Sequence, residues 1–329
     1  MKFLKAHRTT GLFVLAAAFL FLTCFGASAQ EVRHGNGNGL RPNGKHQGIE
    51  DPNAPPEQET SAEPEAKNAN QDAHAKGQFF RSSGNGIYYH GGPVLLGTVN
   101  VYYIWYGNWS GNSATSLLST LVSDLNNSSY EHINTTYYNG TNQHVSGQLH
   151  LAGQVNDNYS EGTSLGDANI ESIVANHCSS LGGCDTNGVY FVLTSADVNE
   201  TSGFCTQYCG WHTDSTISGK NIKYAFVGNP DRCPSACEAQ TTSPNGNSGA
   251  DGMASIIAHE SEEAISDPDL NAWYDRRGEE NADKCAWTFG TVHAAANGSA
   301  YNFVGGSGTE WLIQQNWVNA SGGYCSMSY

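Results

Sequence analysis

Residues 251–285, DGMASIIAHESEEAISDPDLNAWYDRRGEENADKC, restrict the folds open to this chain more than any other stretch. Apolar residues at helical spacing are followed by Glu260, Glu262, Glu263, Asp267, Asp269, Asp275, Glu279, Glu280 and Asp283, against only Arg276, Arg277 and Lys284. Carboxylates at this density repel one another unless water or a cation intervenes. Asp251 is a cap for the helix, Met253, Ile256 and Ile257 give it a core face, and Pro268 ends it by pushing Asp267 out of the α region.

Residues four apart share a helical face, so His259 and Glu263 can point at one ion with Glu260 beside them. This is the HExxH zinc-helix pattern with Glu263 in place of the second histidine. The expected ligands are His259 and Glu263, completed by Asp267 one turn on or by Asp283 folded back through Cys285. Glu260 would then act as general base on a metal-bound water. The competing account is a solvated acidic face, but negative charge at a helix C-terminus opposes the macrodipole. Zinc is the expected ion. Calcium is the alternative, because Asp267-x-Asp269-x-Asn271 starts like an EF-hand loop, although Ala272 and Gly278 stand where glycine and glutamate are required.

The first 29 residues carry Lys2, Lys5 and Arg8, an apolar run and Ala27-Ser28-Ala29, which read as a secretory signal; a lipoprotein anchor at Cys24 is the competing reading. Removing the leader takes three of the 15 Lys+Arg and none of the 31 Asp+Glu, so the exported balance is 12 − 31 = −19. Such acidity argues against nucleic acid or anionic lipid as partner, and no later stretch is apolar enough for a membrane span. Eight of the nine cysteines remain, and an even count in an exported chain reads as disulfides. The short spacings favour local pairs, Cys178 with Cys184, Cys205 with Cys209 and Cys233 with Cys237, leaving Cys285 with Cys325. A four-thiolate zinc site at 205, 209, 233 and 237 is the metal alternative.

Residues 30–78, rich in Gly, Asn, Pro, Glu and Ala, are too poor in large apolar side chains to offset ordering entropy and read as a disordered spacer. Residues 79–329 suffice for one α/β (α+β) domain with a mixed sheet, stapled by disulfides. Strands are expected over 98–106, 188–194 and 223–227, with others near 144–151 and 309–313, and helices over 113–125 and 168–177. Residues 203–212 are expected to form a cysteine-stapled loop. Tyr102, Tyr103, Trp105, Tyr106 and Trp109 suit sugar stacking, but the same residues make the strand pattern, and core packing accounts for them. His90 and His212 could line a site, yet a loop histidine is more often simply hydrogen-bonded. No Gly-x-Ser-x-Gly, phosphate loop or dinucleotide fingerprint is present. Asn108, Asn134 and Asn139 begin glycosylation sequons.

Several motifs in order, YHGGPVLLG (89–97), IWYG (104–107), LTSADV (193–198), GFC with CG (203–210), VGN with CP (227–234) and DGM leading to AHE (251–260), resemble the EXORDIUM / phosphate-induced protein 1 family of secreted proteins. The likeness implies an extracellular protein tied in plants to growth and cell-wall responses, with no settled biochemical activity. The acidic continuation after His259-Glu260, and Asp267-Pro268 where plant members carry Asn-Pro, look like a bacterial-type member. The functional expectation is an exported, zincin-like, metal-dependent hydrolase or peptidase acting on an extracellular peptide. The alternative is a non-catalytic cell-wall protein that binds polysaccharide and keeps a structural or calcium-holding acidic loop.

Overall fold

The chain is described by a computed structural model over residues 86–329. The leader, the spacer and the expected domain start at residue 79 lie outside the described residues. A five-stranded sheet organises the rest: β1 (Val99–Tyr106), β2 (Leu149–Asp157), β3 (Gly188–Thr194), β4 (Gly210–Ile217) and β5 (Lys220–Gly228), in the spatial order β2-β1-β3-β5-β4. The first four in that order run parallel, and β4 is antiparallel to β5 at the edge. A parallel sheet is covered on both faces, which is why VNVYYIWY and GVYFVLT are buried almost without interruption.

Two amphipathic helices make the crossovers. Helix α1 (Ala114–Leu125) buries Leu118, Leu121, Val122 and Leu125, and helix α2 (Asp167–Cys178) buries Ile170, Ile173 and Val174. The chain moves from β1 outward to β2 and then back past β1 to β3, so two right-handed crossovers set α1 and α2 on opposite faces. The third helix, α3 (Ser248–Ser266), packs on β4, β5 and α1. Its side-chain cap is Asn247, which accepts from the Ala250 N–H at 3.0 Å; Asp251, the cap expected from sequence, lies inside the first turn. Pro268 does end the helix.

The strand and helix expectations hold, with β2 shifted toward 149–157 and the late pairing at 309–313 reduced to the short Glu310–Trp311. Residues 203–212 depart from expectation. The loop ends at Cys209, and Trp211 and His212 belong to β4, joined to β5 by a Ser218-Gly219 turn with both residues at positive φ. The disulfides are Cys178–Cys184, Cys205–Cys233, Cys209–Cys237 and Cys285–Cys325. The local pairs 205–209 and 233–237 are therefore corrected. Cys233 and Cys237 bracket a single helical turn, Pro234–Cys237, and both reach the neighbouring loop that carries Cys205 and Cys209. The four thiols grouped as a zinc alternative do converge, but as two bridges. Tyr102, Tyr103, Trp105, Tyr106 and Trp109 are all buried and serve the core.

Candidate metal centre

Every residue of α3 from Gly249 to Ser266 except Gly252 is buried, including His259, Glu260, Glu262 and Glu263. Burying Met253, Ile256, Ile257 and Ile265 contributes about 1.5–3 kcal/mol each, while an unpaired buried carboxylate costs several kcal/mol. The helix can stand in the core only if those carboxylates are neutralised, by protons or by a cation.

The 3.6-residue period aims His259 and Glu263 the same way, with the imidazole Nε2 3.1 Å from Glu263 Oε1. Asp283, from the turn before Cys285, brings Oδ1 to 3.7 Å from His259 Nε2, and its backbone N–H donates to Glu263 Oε1 at 3.0 Å. On the other side His212 descends from β4, its Nε2 3.7 Å from Glu263 Oε2 and 3.1 Å from Glu280 Oε2. Strand alternation puts Gly210 on the same face as His212. A side chain at Gly210 would come within 2.5 Å of Ile256 Cγ2 and 3.1 Å of Glu260 Oε1, so glycine lets α3 lie close to the sheet. Two sets of three side chains have ligand atoms all within 4.8 Å of one another: His212, Glu260 and Glu263, and His259, Glu263 and Asp283.

His212, His259, Glu260, Glu263 and Glu280 are at most 1% exposed, so the cluster is enclosed. Both oxygens of Glu260 and Oε1 of Glu280 lack a hydrogen-bond partner. Burial pushes Glu263 up to about 7, helped by the Asp283 charge, and raises Glu260 and Glu280 well above the ordinary carboxylate range. Burial works against a charged His259, yet Glu263 and Asp283 hold its pKa well above the usual imidazole value. Behind the cluster, Glu262 faces Glu131, and burial pushes Glu131 up to about 8, so this pair keeps a proton at neutral pH.

Asp267 stands apart from both ligand sets. Its Oδ1 accepts from the Asn271 and Ala272 N–H groups at 2.6 Å each, which fixes the turn after α3, and burial pushes it up to about 7. The Asp267-x-Asp269-x-Asn271 spacing does not converge on one point, since Asp269 lies 3.6 Å from Lys223 Nζ. His90 stacks on Tyr274 and meets its carbonyl at 3.1 Å, far in role from the cluster. Two participants, His212 and Glu280, were not among the ligands expected from sequence. The former sits in a strand that reads as loop, and the latter is one of many acids in its run.

A residue set of imidazoles and carboxylates, without thiolate, suits a divalent cation such as zinc or manganese. No helix among the described residues is long and apolar enough to cross a membrane. No solved structure matches the chain. Protein EXORDIUM-like 3 of Arabidopsis thaliana is 32% identical over 279 residues, covering 72% of this chain and 82% of that protein. EXORDIUM-like 5 of the same plant is 31% identical over 284 residues, 72% and 77% of the two chains. Protein PHOSPHATE-INDUCED 1 of Nicotiana tabacum is 29% identical over 268 residues, 69% and 83%. The conserved region of phosphate-induced protein 1 matches residues 87–327, so the chain, with its mixed sheet, four disulfides and buried His/Glu cluster, belongs to the EXORDIUM / phosphate-induced protein 1 family.

Proposed function

We propose that this is an exported extracellular metalloprotein whose buried cation ties α3, β4 and the 280–285 turn together. The observation that carries the reading is the meeting of His259 and Glu263, on a helix with almost no solvent contact, with Asp283 of the 280–285 turn. Closed sites of this kind serve structure, whereas catalytic metals keep an open position. Export is supported by the four disulfides and by the family. Placement in a bacterial branch rests on the acidic run and on Asp267-Pro268; the relatives named above are plant proteins.

The ligand reading favoured here is an uncharged polysaccharide. A groove of about 600 Å³ opens beside the C-terminal ends of β1 and β2, lined by Trp105, Asn108, Trp109, Gln154, Asn156 and Asn158, with no charged residue in its wall. The side-chain amides in this wall match sugar hydroxyls, and the ends of parallel strands are a common ligand site. A hydrolase is the second reading, favoured by the unpartnered Glu260 carboxylate next to His259. On that reading Glu260→Gln abolishes turnover of peptide or ester substrates while metal stays at His259.

The test of the metal reading is thermal unfolding with and without chelator. A cation at a hundredfold excess over its Kd stabilises by about 2.7 kcal/mol, and in a domain of this size each kcal/mol is about 2–4 °C in Tm. Loss of that increment in chelator, its return with zinc or manganese, and its absence in His259→Ala are expected. An unchanged midpoint in protein proved free of metal would remove the reading.

A further inference from the structure

We propose that the cluster is a two-cation centre in which the Glu263 carboxylate bridges the ions. This rests on the metal reading above and adds a second site. The two oxygens of Glu263 face different partners: Oε1 lies 3.1 Å from His259 Nε2, and Oε2 lies 3.7 Å from His212 Nε2. Each oxygen thus belongs to its own ligand set, with Asp283 completing the His259 side and Glu260 the His212 side. A carboxylate that presents one oxygen to each set is how two cations about 3.5–4 Å apart are held in two-metal sites.

Two further observations fit a second ion and not one alone. Glu260 is fully buried, both of its oxygens lack a partner, and it reaches the His212 set rather than the His259 set. A single ion at His259 would leave that carboxylate uncompensated. Glu280, also fully buried, puts Oε2 3.1 Å from His212 Nε2 and leaves Oε1 unpartnered, so the His212 side has a further oxygen donor. Charge agrees. Glu260, Glu263, Glu280 and Asp283 carry four negative charges when ionised, which two divalent cations match with both imidazoles neutral. The absence of thiolate directs the choice to zinc, manganese or ferrous iron.

The experiment uses the full exported chain, purified without metal-affinity steps, stripped with chelator and reloaded with manganese or zinc alone. Metal per chain is counted by elemental mass spectrometry against amino-acid analysis. About two ions per chain are expected, falling to about one in His212→Gln with the His259 site still filled, and to about one in His259→Gln. Manganese-loaded wild type should give the electron paramagnetic resonance signature of an exchange-coupled pair, a readout that needs no variant to fold. Saturation at one ion, with no coupling, overturns the second site and leaves the one-ion reading standing. Two ions without coupling overturn the bridge. No bound ion overturns both.

Discussion

Glu260 is the residue on which the cluster's need for a cation is most directly read. It is fully buried, neither oxygen has a partner, and burial raises its pKa well above the ordinary carboxylate range. Without metal it must hold a proton or stay uncompensated, and in either case its removal costs nothing in hydrogen bonds. Glu260→Gln should therefore raise the stability of chelator-treated protein by about 1–3 kcal/mol and lower the additional stability gained on adding metal. The check is denaturant unfolding of wild type and variant in chelator and in zinc. A variant that loses stability in chelator would mean that Glu260 has a role in the metal-free core, and the electrostatic argument for the ion would fail. His212 makes the complementary point about what sequence reveals. Its neighbours in WHTDSTI alternate too little apolar character to mark a strand, and its partners lie 47 residues and more downstream, so only the β4–β5 pairing brings it under α3.

At the scale of elements, the start of α3 is a separate, pH-sensitive device. Asp251 accepts from Asn245 Nδ2 at 2.6 Å and from the Ser243 hydroxyl, and burial pushes it from 3.8 up to about 6. A folded pKa above the unfolded one means that the fold prefers the neutral acid. Its contribution is full below about 3.8 and is lost as pH rises through about 6. At 1.36 kcal/mol per unit the window spans roughly 3 kcal/mol. Asp251→Asn, which keeps the shape, should match wild type near pH 4 and exceed it by up to that amount above pH 7, measured by unfolding across the range. An offset independent of pH would remove the assignment. Periodicity revealed α1, α2 and α3 and the buried strands because their apolar spacing is local. It also revealed the face shared by His259 and Glu263. It could not reveal Glu280, whose role depends on how the 267–285 turn folds back, nor that all sides of α3 are covered. The disulfides divide in the same way: 178–184 follows from proximity in sequence, while the 205–233 and 209–237 bridges depend on a loop meeting a helical turn. Tryptic mapping decides this, because Lys220, Lys223 and Arg232 separate the two cysteine pairs. The peptide with Cys205 and Cys209 should stay joined to that with Cys233 and Cys237 until reduction, whereas local pairing would release them apart.

For the whole molecule, the cluster and the disulfides divide the stability of the domain. Strands β1, β2 and β3 with α1 and α2 form a parallel unit closed by local connections and the Cys178–Cys184 bridge. The remainder comprises β4, α3 and the chain after Pro268, the last of which carries only short ladders and turns. Beyond the β4–β5 pairing and the packing of α3 on the sheet and on α1, it is tied at three places: the paired bridges at 205–233 and 209–237, the His/Glu cluster, and Cys285–Cys325. Asp283 and Glu280 lie just before Cys285, so an ion on them would fix not only the turn but, through the bridge, the C-terminal ladder that holds Cys325. Removing the ion should then act unevenly. Amides of residues 210–217 and 275–285 and of the Asn316–Val318 and Tyr324–Ser326 strands should exchange faster with deuterium in chelator. Those of β1 and β3 should keep their protection, because local openings cost less than global unfolding. Hydrogen exchange read by mass spectrometry, comparing protein stripped of metal by chelator with the same protein reloaded with zinc or manganese, tests this. Uniform acceleration across the sheet would place the ion's effect on global unfolding alone, and no acceleration anywhere would separate the cluster from the stability of the C-terminal half.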